Sequence, residues 1–278
     1  MNSINADLHC HSVVSDGTLT PEALAVRAHQ NGVELWSLTD HDVIGGQQRA
    51  KTASKELGIR YLPGVEISVS SMGQTIHIVG IGIDPENAIL IEGLRKTRDG
   101  RSERGQEMAR QLEAVGIPGA YEGALKFAGN QELLSRTHFA RFLVEKKVCS
   151  STDAVFKNYL IEGKPGYVEH RWATLTESVD WIKAAGGAAV IAHPGRYRLT
   201  DLQKDELYKS FLLAGGLGIE VITGSHTPAQ YEEYAKIAKQ YDFYASRGSD
   251  FHDLNESYID LGRLPLLPTN LKPIWSLF

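Results

Sequence analysis

At 278 residues the chain can form one large α/β domain or a domain carrying a sizeable insertion, and 42% hydrophobic against 23% charged residues excludes a disordered chain. A formal charge of −5 argues against coating nucleic acid by bulk electrostatics and leaves room for a small phosphorylated ligand neutralised locally. No stretch approaches the roughly 18 apolar residues of a membrane span, and the opening MNSINADLHCHS lacks a basic segment followed by an apolar run, so a cytoplasmic protein without a membrane partner is expected.

Short β-branched apolar runs alternate with helical patterns along most of the chain, the signature of parallel β/α units. Strands are expected at 4–8, 35–38, 61–69, 75–83, 188–192, 218–221 and 243–246. Seven of them suggest a distorted (β/α)7 barrel. The first helix starts at Thr20-Pro21, a hydroxyl N-cap followed by proline at the first helical position, and stops at Asn31-Gly32. Between about Glu92 and Trp172 the rhythm turns helical, with Met108, Leu112 and Val115 on one face and Phe139, Phe142 and Leu143 on another. The expected organisation is therefore a barrel in two parts, 1–92 and 173–278, with an inserted helical cap at 93–172. Cys10 and Cys149 lie far apart outside any CxxC spacing, which predicts two reduced thiols.

Most of nine residues of metal-ligand type fall at the carboxyl ends of these strands, the one face where residues distant in sequence converge, with His77 the outlier. His9 and His11 follow the first strand, two apart on one pleat face with Cys10 opposite. Asp16 follows in an SDG turn, His41 in TDHD, Glu66 at the end of the third strand, His193 in AHPGR, and Asp250 and His252 in GSDFH. His77 joins them if EISVS and QTIHI form a hairpin centred on Ser71-Met72, which places it opposite Glu66; a turn at Met72-Gly73 is expected to spoil that pairing. Imidazole and carboxylate without thiolate is the donor set for Mn, Fe or Zn in an open, water-bearing site, with Mg also possible. Asp16, His193 and Asp250 are expected to serve catalysis as well as metal. Three divalent ions against the three carboxylates Asp16, Glu66 and Asp250 leave a charge matched by a phosphate monoester dianion plus one hydroxide. Asp7, Asp40 and Asp42 are expected to hold ligand imidazoles through their second nitrogens. His29 and His170 are expected at the surface.

The expected chemistry is attack on phosphorus by a hydroxide bridging the metals, in line with a departing ribose oxygen. Arg136 and His138 of RTHFAR, Arg196, Lys164 and His226 are the candidate substrate contacts, because arginine's planar fork matches phosphate bidentately. Arg95, Arg98, Arg101 and Arg104 drift around a helix as either a basic surface or a solvated face paired with Glu103 and Glu107. Tyr167 or Trp172 could stack on a base.

DLHCHS, TDHD, Glu66 with His77, AHPG and SDFH together resemble the motifs of the polymerase and histidinol phosphatase (PHP) superfamily, over the whole chain. RTHFAR and GKPGYV resemble the insertion of its 3',5'-nucleoside bisphosphate phosphatases, also described as 5'-to-3' exoribonucleases acting on short RNA and ribosomal RNA 5' ends (RNase AM-like). The resemblance implies a distorted (β/α)7 barrel with a helical cap, manganese in a trinuclear cluster, a small nucleotide or short RNA as substrate, and no obligate protein partner. Members with a histidinol phosphatase role often carry His where this chain has Asp16, which favours the nucleotide branch. The competing expectations are another phosphomonoesterase of the superfamily, such as a histidinol phosphatase, and an inactive metal-binding module.

Overall fold

Proline and glycine divide this chain into its elements. In the computed structural model, which describes residues 4–128, 131–170 and 172–278, Thr20 Oγ accepts from the Ala23 amide and Pro21 opens α1 (Pro21–Gln30), which closes at Asn31 and Gly32 as expected. The first half continues with β1 (Ala6–Asp7), β2 (Leu35–Trp36), α2 (Gln47–Glu56), β3 (Arg60–Tyr61), β4 (Gly64–Ser71) and β5 (Gln74–Ile81). The expected strand at 61–69 is two strands, because Pro63 has no amide to donate to a ladder and the chain turns there. Glu66 consequently lies inside β4 rather than at a strand end.

The hairpin turns at Met72-Gly73, not at Ser71-Met72. Both turn residues have positive φ, 51° and 74°, as the tightest hairpin connection requires. Glu66 therefore pairs with Val79 and His77 with Ser68. Moving the turn centre by one residue moves each partner by two, which preserves the face. Glu66 and His77 remain diagonal neighbours on one side of the ladder, so the turn expected to separate them leaves them together.

Helices then dominate: α3 (Ala88–Arg98), α4 (Arg101–Ala114), α5 (Ala120–Leu125), α6 (Arg136–Glu145), α7 (Thr152–Val155), a π turn at Phe156–Leu160, and α8 (Leu175–Ala184). Gly100, at φ 84°, breaks α3 from α4, so the arginines at 95, 98, 101 and 104 do not share one helix. The chain ends with β6 (Ala188–Ile191), α9 (Asp201–Ala214), β7 (Gly218–Thr223), α10 (Pro228–Gln240) and β8 (Tyr244–Gly248).

These eight strands, one more than expected, form a parallel sheet β1-β2-β3 and a mixed sheet β4-β5-β6-β7-β8 in which β5 runs against both neighbours. Backbone bonds join the two sheets at both margins: Leu8 N donates to Arg247 O at 3.0 Å and Asp250 N to His9 O at 2.7 Å on one side, Asp42 N to Glu66 O at 2.8 Å on the other. One apolar cluster fills the space between β4 to β8 and α8 to α10, and a second packs Trp36 and Leu38 against α1 and α2. A third and separate cluster, containing Met108, Leu112, Phe139, Phe142, Leu143, Val155 and Leu160, holds α4 to α7 together. Val115 does not join that face; it terminates α4 at 49% exposure. No helix among the described residues is long and apolar enough to cross a membrane.

Candidate metal centre

The HxH and DxH segments are laced to each other by main-chain bonds, His11 N to Phe251 O at 2.8 Å and Asp250 N to His9 O at 2.7 Å, so their side chains rise from neighbouring strand ends. Cys10 points the other way, where its sulfur accepts from Trp36 Nε1. Glu66 sits at the middle of the resulting cluster. Its Oε1 lies 3.3 Å from His9 Nε2, 3.0 Å from His77 Nδ1 and 3.0 Å from His193 Nε2, and its Oε2 lies 3.3 Å from His11 Nε2 and 2.9 Å from His41 Nδ1. Asp250 Oδ1 stands 3.1 Å from His11 Nε2, and Asp16 Oδ1 3.4 Å from His252 Nε2. All nine expected ligands thus meet in one place.

Their donor atoms gather into three overlapping groups: His11, Asp16, His41 and His252; His9, His11, Glu66 and Asp250; and His41, Glu66 and His77. His193 adjoins the third, with Nε2 3.4 Å from His77 Nδ1. Facing imidazole nitrogens 3.1 Å apart, as in His9 and His11, cannot both direct lone pairs at each other without a proton or a cation between them. His11 Nδ1 and His193 Nδ1 are buried without a hydrogen-bond partner. Burial opposes the charge of Glu66, Asp16 and Asp250, yet the surrounding imidazoles, and Arg196 beside Asp250, hold all three well below the usual carboxylate range. Burial and the neighbouring His252 and His41 push His11 down to about 3, and burial and Arg196 do the same to His193. Ionised carboxylates beside the neutral imidazoles of His11 and His193 are forms that ligate divalent cations, whereas His9, His41 and His252, held up against burial by the surrounding carboxylates, must give up a proton to do so; the donor set fits Mn, Fe or Zn.

The residue that orients the ligands is Glu220, which sequence reasoning missed. Buried in β7, it accepts from His9 Nδ1 through Oε1 at 2.7 Å and from the His193 amide through Oε2 at 2.6 Å. The second bond steadies a backbone at φ 26°, and Asp250 has φ 56°, so two of the expected ligands stand on strained main chain. A glutamate inside GIEVIT, otherwise an apolar strand, was the available signal. Asp7, Asp40 and Asp42 do not touch the imidazoles through ring nitrogens. Asp7 accepts from the amides of Ser249 and Gly262, Asp40 from Ser12 and Ser15, and Asp42 from Ser68, so all three tie down loops. A short side chain at those positions reaches the adjacent main chain before it reaches a ring.

Opposite the ligands, the same cavity of about 220 Å³ is walled by Arg101, Arg104 and Arg136, with Arg196 at its edge. Asp42 binds Arg101, Arg98 donates to Asp42 O at 2.7 Å, and the guanidinium groups of Arg101 and Arg104 lie over Trp172 at 4.6 and 5.3 Å. Burial, with Arg136 and Arg101 close by, pushes Arg104 down to about 9. Arg196 pairs with Asp250 at 2.6 Å. Arg101 and Arg104 were open to two surface readings and belong to neither; only Arg95 is solvated, paired with Glu92 and Asp99.

Three expected substrate contacts lie elsewhere. His138 is buried, accepts from the Ser135 amide at the start of α6, and does not line the cavity. His226 uses both ring nitrogens on main chain, accepting from Gly195 N and donating to Val221 O, and so braces the loop that carries His193. Lys164 is exposed and outside the lining. His29 is exposed as expected, whereas His170 is half-buried against Trp172 at 4.3 Å and is not a surface residue.

Residues 7–248 match the family described as PHP domain. The chain belongs to the PHP domain family. This PHP protein is 48% identical over 271 residues to a 3',5'-nucleoside bisphosphate phosphatase of Chromobacterium violaceum, covering 98% of this chain and 95% of that one. It is 40% identical over 274 residues to the 5'-3' exoribonuclease Rnm of Escherichia coli, covering 98% and 93%. Among solved structures, an amidohydrolase of C. violaceum with bound sulfate and no metal superposes with a TM-score of 0.96 at 47% identity, covering 98% of this chain and 95% of that one. A Bifidobacterium adolescentis protein assigned as a metal-dependent phosphoesterase superposes with a TM-score of 0.83 at 29% identity, covering 99% and 94%.

Proposed function

We propose that this PHP protein is a metal-dependent phosphatase that removes the 3'-phosphate of nucleoside 3',5'-bisphosphates, and that it also degrades short 5'-phosphorylated RNA from the 5' end. The observation that carries this reading is one cavity with a three-part metal-ligand cluster on one wall and, on the other, the buried Arg101 and Arg104 with the half-buried Arg136. A single phosphate needs only the first wall; a substrate with two phosphates uses both. The relatives' names as bisphosphate phosphatase and exoribonuclease support the same conclusion.

The nine ligands His9, His11, Asp16, His41, Glu66, His77, His193, Asp250 and His252 are proposed to hold three ions, manganese in the working enzyme. Bound divalent ions there supply a nucleophilic hydroxide near neutral pH and neutralise charge on the phosphoryl oxygens. His11, His41 and Glu66 belong to two groups each and would be shared between neighbouring ions. Arg101, Arg104 and Arg136 bind the second phosphate, Asp42 and Trp172 hold the first two of these arginines in place, and Arg196 stands where a scissile phosphate meets Asp250. The proposed architecture is a distorted barrel, supported by the bonds joining the sheets at both margins, under a helical cap at 93–172, supported by the separate apolar cluster of α4 to α7.

Incubating the manganese-loaded protein with adenosine 3',5'-bisphosphate tests the proposal. Release of AMP and inorganic phosphate is the expected result. Turnover of histidinol phosphate with the bisphosphate left intact would overturn it in favour of another phosphomonoesterase.

A further inference from the structure

Resting on the proposed phosphatase reading, we infer that a second groove beside the metal ligands receives the nucleotide that follows the scissile phosphate in an RNA substrate. This groove, of about 310 Å³, shares Thr137, Phe156, Arg196, Asp250 and His252 with the cavity that holds the arginine wall. The two spaces therefore adjoin at Asp250 and His252, with Phe156 lining both. Size alone fits a small ligand fragment.

The chemistry requires such a second exit. In a bisphosphate the phosphorus at the metals carries, besides the ribose 3'-oxygen, only oxygens that end there. In RNA one of those oxygens is the 5'-oxygen of the next nucleotide. If the same bond breaks in both, water adds to phosphorus, the P–O3' bond cleaves, the 3'-oxygen takes a proton, and the phosphate stays on the next nucleotide. The first nucleoside occupies the arginine side, since its 5'-phosphate is held there. The next one must leave the phosphorus in another direction, and the groove beyond Asp250 and His252 is the opening that begins at that point.

Its lining suits one nucleoside rather than a long polyanion. Tyr258, 74% exposed on the outer rim, donates to Asp153 at 2.9 Å and presents a ring at the mouth, while Phe156 stands at the inner end as the first residue of the π turn. A π turn places a side chain where a regular helix would not, and such turns recur at functional sites. Thr152 and Ser257 add hydroxyls. Glu256 is already engaged in both carboxylate oxygens by Arg141, at 3.0 and 2.7 Å. With Asp153 and no further free arginine in the lining, the groove offers stacking and hydrogen bonds but nothing to attract successive phosphates.

Steady-state kinetics on three substrates test this: adenosine 3',5'-bisphosphate, a 5'-phosphorylated diadenosine, and a 5'-phosphorylated oligoadenylate. Tyr258→Ala is expected to lower kcat/KM on the dinucleotide about tenfold, from loss of one stacked base. Thr152→Trp, which fills the groove, is expected to lower it at least as far. Both variants should hydrolyse the bisphosphate within about twofold of the unaltered protein, which also reports that they fold. The unaltered protein should gain nothing beyond about twofold in kcat/KM from lengthening the dinucleotide. Equal losses on bisphosphate and dinucleotide, or no loss on either, would overturn the groove and leave the phosphatase reading standing. An unaltered protein that turns over neither substrate would overturn both.

Discussion

Glu220 illustrates how much a single buried carboxylate can govern here. Both of its partners are N–H donors, the His9 ring and the His193 amide, so it must present two acceptors at once. Glutamine presents one acceptor and one donor and meets a donor on one side. Glu220→Gln is therefore expected to weaken manganese binding about 10- to 100-fold, the usual effect of losing a partner that orients a ligand. Titration of the metal-free protein followed by calorimetry measures it; unchanged affinity would remove Glu220 from the site's support. Arg136→Ala, by contrast, is expected to raise KM for the bisphosphate tenfold or more with a smaller fall in kcat, and to leave metal content unchanged. His41 supplies the pH dependence. Burial disfavours its charge, but Glu66 and Asp16 outweigh burial and raise it from 6.5 to about 9. The charged form then stabilises the metal-free fold fully below its ordinary value, and that stabilisation is lost as pH rises through about 9. Manganese must displace the same proton. Apparent affinity should rise between pH 7 and pH 9 with proton release, and flat binding across that interval would contradict the assignment.

Among the elements, the β4–β5 hairpin shows what sequence patterns convey and where they stop. The alternation in EISVS and QTIHI identifies two strands and even the correct face for Glu66 and His77. It does not identify the turn, because Ser71-Met72 and Met72-Gly73 differ by one residue and both keep the alternation. Glycine at position 73, with φ 74°, decides between them. Gly73→Ala meets no neighbour but places a Cβ on a left-handed backbone, so a loss of about 1 kcal/mol is expected, measured by denaturant unfolding. An effect below about 0.3 kcal/mol would mean the turn tolerates another geometry. The start of α1 was legible because a hydroxyl and a proline coincide at Thr20-Pro21, whereas the same pair at Thr227-Pro228, which opens α10, was not read. The break at Gly100 was not read, and for that reason Arg101 and Arg104 were left between a broad basic surface and a solvated face, neither of which separates them from Arg95. Lys164, His138 and His226 were misplaced for a related reason: proximity in sequence to a motif says nothing about which way a side chain points.

At the scale of the whole molecule, most of the proposed metal ligands were legible because they sit in short motifs after strands, and strand ends of β/α units share a face; Glu66 and His77, inside β4 and β5, join them through the hairpin. The buried support was harder to see. Glu220 and the loop-tying roles of Asp7, Asp40 and Asp42 depend on contacts between segments more than 20 residues apart, which one sequence does not display. Six imidazoles and three carboxylates brought together are costly, and cations relieve that cost. Removing metal with a chelator should therefore lower Tm, and restoring manganese at about 100 times its Kd should return roughly 2.7 kcal/mol of stability. Anomalous diffraction from manganese-soaked crystals tests the central claim most directly. Three peaks are expected, one within each of the groups His11-Asp16-His41-His252, His9-His11-Glu66-Asp250 and His41-Glu66-His77, the last beside His193. Manganese absent from these positions, or bound only outside the cavity, would contradict the account.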